Sequence, residues 1–88
     1  MRGAAFMEQV VRLAGQLGAQ LQMERRRRSM TQTDLAGIVG THQKTISAIE
    51  NGSEGARLET LLRIIAALDL DMQIIPRRKI GKRIEDIF

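Results

Sequence analysis

An 88-residue chain is too short for two independent hydrophobic cores, and with 43% hydrophobic and 27% charged residues it has the composition of one globular domain. Its only aromatic residues are Phe6 and Phe88, it has no Cys, and its one His is His42; this excludes a platform for stacking single-stranded bases, a disulfide framework, a thiol nucleophile and a Cys/His zinc site. The net charge of +4 points to a polyanionic partner but is unevenly spread, with +4 over residues 1–28, −3 over 29–76 and +3 over 77–88.

The larger apolar residues Phe6, Val10, Leu13, Leu17 and Leu21 recur at steps of four and three, which places them on one face of a helix reaching to about Arg28. Gly15 and Gly18 each cost about 1 kcal/mol relative to Ala in a helix interior, so the pattern leaves open a break there that sets off an N-terminal extension. The run Arg25-Arg26-Arg27-Arg28 falls in the last turn, where cations favour the negative end of the helix dipole. Thr31 is a good N-cap for the next helix, and Asp34 at its third position makes a shortened capping box. Leu35, Ala36 and Val39 then form a core stripe that stops at Gly40.

A further short helix restarts at Thr41 or His42, turns Ile46 and Ile49 inward and ends at Asn51-Gly52. Gly40 permits a sharp turn and the small Ala36 permits close approach, so the two short helices have the geometry of a helix-turn-helix. Beyond a polar stretch over 51–57, Leu58, Leu61, Leu62, Ile65 and Leu68 trace another amphipathic helix, ended by Asp69-Leu70-Asp71. Met72-Gln73-Ile74-Ile75-Pro76 reads as a short strand, brief, partly β-branched and closed by proline. A lone strand needs a partner, and a second copy about a twofold axis supplies one. A chain of this size buries only ~60–65% of its unfolded surface, so such a partner adds cover that the monomer lacks. The basic tail ends in Ile84-Glu85-Asp86-Ile87-Phe88, and there are no internal repeats.

The residues Met30-Thr31-Gln32-Thr33-Asp34-Leu35-Ala36, Gly40, Gln43-Lys44-Thr45-Ile46-Ser47, Ile49-Glu50-Asn51-Gly52 and Leu58-Glu59-Thr60-Leu61-Leu62 occur in the order and spacing of one known domain. Over Leu17 to Leu70 the chain resembles the Xre/Cro family of bacterial and phage repressors. Three positions depart from the pattern: Glu24 replaces an apolar residue, Ser29 a helix-ending glycine, and Arg57 a capping Ser or Thr. The resemblance implies an all-α, lambda-repressor-like helix-turn-helix domain of four to five helices, with one short C-terminal β-strand pairing across a dimer. It also implies that the second short helix enters the major groove, with Gln43, Lys44, Ser47 and Ala48 contacting bases. Their chemistry suits this, since Gln pairs with adenine, Lys reaches guanine acceptors and Ala touches a thymine methyl. Arg25, Thr31, Gln32, His42 and Thr45 match positions near phosphate, and Arg25 with Glu50 matches an ion pair that orients the arginine.

The segment Asp69-Leu70-Asp71-Met72-Gln73-Ile74-Ile75 narrows the likeness to HipB-type antitoxins, whose strands pair across the dimer and whose gene partner is a HipA-type serine/threonine kinase toxin. This narrower likeness implies a homodimer, with Met72, Gln73, Ile74 and Ile75 at the dimer contact. The expected DNA partner is a double-stranded operator with inverted half-sites about 34 Å apart. The kinase toxin would meet Ile84, Ile87 and Phe88, since exposed apolar residues at a chain end mark a contact surface. The alternative is a stand-alone regulator, such as a phage-type repressor or a restriction-modification controller. The division expected is an N-terminal helical extension over 1–16, the helix-turn-helix domain over 17–76 with its dimerisation strand at 71–76, and a basic tail over 77–88. No nucleophile-base pair or phosphate loop can be assembled, so neither an enzyme nor a cofactor nor a metal is expected. The longest apolar run, Ile64 to Leu68, is far below the ~20 residues of a membrane span, and no secretory pattern is present, so a cytoplasmic protein without a membrane partner is expected.

Overall fold

The computed structural model describes residues 10–77. Four helices occupy this stretch: α1 (Ala14–Arg27), α2 (Gln32–Val39), α3 (Gln43–Glu50) and α4 (Leu58–Ala67). The helix read from Phe6 onward starts later than expected, because the Gln16 Oε1 accepts the backbone N–H groups of Arg12 at 2.6 Å and Leu13 at 3.0 Å and so closes the N-terminus of α1. Val10 and Leu13 are consequently exposed rather than on the core face, and Phe6 lies outside the described residues. Neither glycine breaks the helix. Gly18 instead lies against the C-terminal end of α3, where a Cβ would collide with the carbonyl oxygens of Ile49 and Glu50, the latter at 2.7 Å. The absence of a side chain there lets two helix backbones meet.

α1 ends at Arg27 with Arg28 as its C-cap, and Ser29 beyond it adopts a left-handed φ of 55° where the family pattern has glycine. The capping box of α2 forms as read: Thr31 Oγ1 accepts from the Asp34 amide, and Asp34 Oδ2 accepts from the Thr31 amide, both at 2.9 Å. Gly40 takes φ 85°, and its N–H and that of Thr41 both donate to the Ala36 carbonyl at 2.9 Å, which turns the chain tightly into α3. His42 is the N-cap of α3 and makes no side-chain capping bond; the same is true of Arg57 at α4.

α1 packs on α3, and α2 packs on both α3 and α4. Leu21, Leu35, Ala36, Val39, Ile46, Ile49, Ile64, Ile65 and Leu68 form the core, with Leu17, Met30, Leu61 and Leu70 packed against its edge. In α4 the stripe is rotated from the one read in the sequence. Ile64 is 1% exposed, whereas Leu58 and Leu62 are 65% and 45% exposed, because the phase that seats Ile64, Ile65 and Leu68 on the core turns Leu58 and Leu62 away from it. Asp69, at φ 60°, ends the helical chain. No strand occurs among the described residues; 71–77 runs on without regular structure, since a single copy offers the expected strand nothing to pair with. Ile74 is 95% exposed.

The two glycines of α1 give opposite predictions. Gly18→Ala should destabilise the domain by about 2 kcal/mol through overpacking against α3, while Gly15→Ala, with open space around its Cβ, should be neutral or stabilise by up to ~1 kcal/mol. Urea unfolding of both variants checks the pair.

Candidate nucleic-acid interface

α3 buries Ile46, Ile49 and Glu50 and turns the opposite face outward. That face carries Gln43, Lys44 and Ala48, all exposed, with Ser47 half-buried beside them. None is acidic, and their spacing of one and four residues keeps them on a single surface. Along one flank runs a groove toward α4, lined by Thr41, Lys44, Thr45, Ala48, Ser53 and Arg57 among others. Across it, Arg63 is engaged with Glu59 at 2.6 Å. On the other flank lies the N-terminus of α2. There the Thr31 hydroxyl oxygen is taken by the capping bond, which leaves the hydroxyl proton to donate outward.

Behind this face a single carboxylate gathers four hydrogen bonds. Glu50 Oε2 accepts from Arg25 Nε at 2.6 Å, while its Oε1 accepts from Arg25 Nη2 at 2.9 Å, Gln32 Nε2 at 3.0 Å and Gln22 Nε2 at 3.2 Å. Arg25 Nη1 donates to the Met30 carbonyl at 2.7 Å, tying the α1–α2 turn to the same cluster. The Glu50 and Arg25 side chains are 2% and 8% exposed. Burial pushes the Glu50 carboxyl pKa up, but the hydrogen bonds from Arg25 and Gln32, the Arg25 charge and the Gln22 bond outweigh it and hold the group below its ordinary value near 4.5. The cluster reaches the outer face through one more bond, from Gln43 Nε2 to Gln32 Oε1 at 2.6 Å.

The structure thus brings Arg25, Gln32 and Gln43 into one network, and places Arg25 inside the domain with its guanidinium turned onto Glu50 and Met30. Gln32 does not cap its helix; Thr31 does. Lys44, His42 and Thr45 stand on or beside the outer face of α3 without sharing that network. Ile84, Ile87 and Phe88 lie outside the described residues. Two participants escaped the reading of the sequence. Gln22, three residues before Arg25 and on the same helix face, could have been found from that spacing. Glu24, the departure from the apolar pattern, is buried, and its carboxylate accepts from Arg28 at 2.8 Å, Arg27 at 3.3 Å and Gln20 at 3.4 Å. Two arginines of the basic run are therefore paired with Glu24 and a third with Glu50. Among the described residues no group of His, Asp and Glu side chains could hold a metal ion, and no helix is long and apolar enough to cross a membrane.

Two short helices joined by a tight turn, with the second presenting an uncharged and basic face, define a helix-turn-helix DNA-binding domain, and a helix-turn-helix domain family matches residues 16–73. The chain belongs to the Xre-type helix-turn-helix family and is a DNA-binding regulator of that class. Within the class it is similar to the antitoxin HipB of Escherichia coli strain K12, 34% identical over 59 residues that cover 67% of this chain and 67% of that protein. A solved HipA-HipB-O2-O3 complex contains a chain similar in structure, with a TM-score of 0.75 and 30% identity over 81% of this chain and all of that one. The restriction-modification controller C.AhdI of Aeromonas hydrophila shares the fold, with a TM-score of 0.61 and 24% identity over 66% of this chain and 84% of that one.

Breaking the buried pair from one side should be worse than removing it. Glu50→Ala, which strands the Arg25 charge, is expected to cost about 3–5 kcal/mol, and the double change Arg25→Met with Glu50→Met should recover most of that loss. Because the folded Glu50 has its pKa depressed, its contribution is present above pH ~4.5 and is lost as the pH falls through the lower folded value. Thermal melts from pH 7 down to pH 3 should show a steeper acid loss in the parent than in the double variant.

Proposed function

We propose that this chain is a homodimeric, sequence-specific transcriptional repressor that acts as the antitoxin of a HipA-like serine/threonine kinase and represses its own operon. The observation that carries the DNA-reading half is the side chain of Gln43, held at the exposed N-terminus of α3 by Gln32 rather than left to solvent. On this reading Gln43, Lys44, Ser47 and Ala48 contact base edges. Thr31, Gln32, His42 and Thr45 meet phosphates on the two flanks, joined by the free N–H groups at the start of α2. Arg25 forms with Glu50 the ion pair that the resemblance implied, and through the Met30 carbonyl it also holds the α1–α2 turn.

The exposed Leu58 and Leu62 of α4, with Met72, Ile74 and Ile75 beyond it, support the dimer. Large apolar groups this accessible are covered in an assembly, and residues 72–75 of two copies pairing as antiparallel strands would cover theirs. The HipB relative is solved together with HipA and O2-O3, and the same kind of assembly is the one proposed for this chain.

Replacing Gln43 and Lys44 together with Ala should lower the preference for the selected operator over random duplex by about 30-fold or more, while leaving weak binding that falls steeply with salt. Fluorescence anisotropy at two salt concentrations reads both; sequence preference that survives the double change refutes the assignment. Ile74→Asp should convert a dimer into a monomer by sedimentation equilibrium. Expression with the neighbouring genes tests the antitoxin half: a kinase that co-purifies supports it, and a free dimer recovered from cells that make both proteins favours the stand-alone regulator.

A further inference from the structure

Four Ser or Thr residues are exposed among the described residues: Ser29, Thr31, Thr33 and Ser53. Three of them serve the fold. Thr31 caps α2, Thr33 stands in the first turn of that helix, and the Ser53 Oγ accepts from the Gly55 amide at 3.2 Å. Ser29 differs on each count. It lies between α1 and α2, takes a left-handed φ of 55°, and its hydroxyl makes no hydrogen bond to another described residue. Only its N–H is used, donating to the Arg26 carbonyl at 2.9 Å. The three residues before it are Arg26, Arg27 and Arg28, all exposed. Arg26 forms no ion pair among the described residues, and Arg27 holds Glu24 only at 3.3 Å. A hydroxyl that is accessible, outside any helix and preceded by cations is what a serine/threonine kinase selective for arginine requires. Its active site must close around the acceptor oxygen while acidic groups of the enzyme meet the basic side chains.

From this placement we infer that Ser29 is a phosphorylation site for an arginine-directed serine/threonine kinase, and that its phosphate releases the chain from operator DNA. The release rests on the proposed DNA-reading role of the α2–α3 face; the phosphoryl transfer does not. In that transfer the Ser29 Oγ bonds to the γ-phosphorus of ATP as the bond from that phosphorus to its bridging oxygen breaks, ADP leaves, and the hydroxyl proton passes to the base of the kinase. The product carries a charge of about −1.5 to −2 at pH 7. It stands two residues before Thr31, the N-cap of α2. In the first turn of α2 the Asp34 amide is taken by Thr31 Oγ1 and the Leu35 amide by the Thr31 carbonyl at 3.1 Å, so those of Gln32 and Thr33 are left without an intrahelical partner. These are the N–H groups proposed to receive a DNA phosphate. A phosphate on Ser29 is drawn to the same positive end of α2 and to Arg26, and it repels the phosphate that DNA would bring there. The fold gains from the first effect and DNA binding loses from the second.

The test uses the full chain, ATP and a purified arginine-directed serine/threonine kinase, with intact mass and peptide fragmentation as the first readout. The parent should take up one phosphate on Ser29, Ser29→Ala none, and Arg26→Ala should take it up about fivefold more slowly or worse. A parent left unmodified at Ser29, or a Ser29→Ala variant modified as fast as the parent, overturns the site. Fluorescence anisotropy then compares the modified and unmodified chains on the selected operator. The modified chain should bind about tenfold more weakly or worse near 0.1 M salt, and the gap should narrow as added salt screens the new charge. Equal affinities overturn the release while the site stands. An unmodified chain that binds no duplex refutes the DNA-reading role and takes the release with it, again without touching the site. Thermal melts supply the remaining check: the modified chain should melt at or above the temperature of the unmodified one, and a lower value would assign the lost affinity to unfolding and overturn the proposed competition at α2.

Discussion

The buried pair between Arg25 and Glu50 is the constraint on which the rest of this domain depends. One carboxylate at the C-terminal end of α3 draws its four hydrogen bonds from Gln22 and Arg25 of α1 and from Gln32 of α2. Removing two charges from water costs more than their attraction returns unless every lone pair and proton finds a partner. Here the demand is met: no buried side-chain nitrogen or oxygen among the described residues lacks a hydrogen bond. Meeting it dictates geometry. α1 must approach the end of α3 closely enough for Arg25 to reach, which is why Gly18 lies against the carbonyls of Ile49 and Glu50. The α1–α2 turn must bring the Met30 carbonyl under the guanidinium, and Ser29 takes a left-handed φ in that turn.

The same pairing changes the meaning of the charge pattern. Four consecutive arginines look like a phosphate-binding strip, yet Arg25 is turned onto Glu50, and Arg27 and Arg28 are joined to Glu24. Three of the six acidic residues of the middle segment are likewise engaged. Glu50 anchors the ion pair, Asp34 caps α2 and Glu59 meets Arg63. What remains on the outer face of α3 is free of negative charge. A net charge of −3 over residues 29–76 is thus compatible with a DNA-reading helix, because the one carboxylate of α3, Glu50, is buried behind its outer face.

Much of this domain was legible in its sequence wherever local chemistry decides the outcome. The Thr31–Asp34 capping box, the turn at Gly40, the inward stripes of α2 and α3 and the family likeness all follow from residue types at fixed short spacings, and they stand in the structure as read. The readings that failed share a cause. Val10 and Leu13 kept the helical period but not the helix, because the Gln16 side chain closed the N-terminus ahead of them. Leu58 and Leu62 kept the amphipathic period of α4, yet the phase of the buried stripe was set by where α2 lies.

Sequence by itself determined that this is a small helical domain with a helix-turn-helix at its centre and a basic character concentrated toward its ends. Tertiary structure alone decided that Gly18 is a contact rather than a break, that Glu24 and Glu50 hold three of the four arginines, and that Gln43 is the outer end of a hydrogen-bond chain starting in the interior. The physical reason is range. Caps, turns and periodicity act over three or four residues, whereas the partners of Glu50 come from 18, 25 and 28 residues away, and nothing but the folded backbone brings them to one carboxylate.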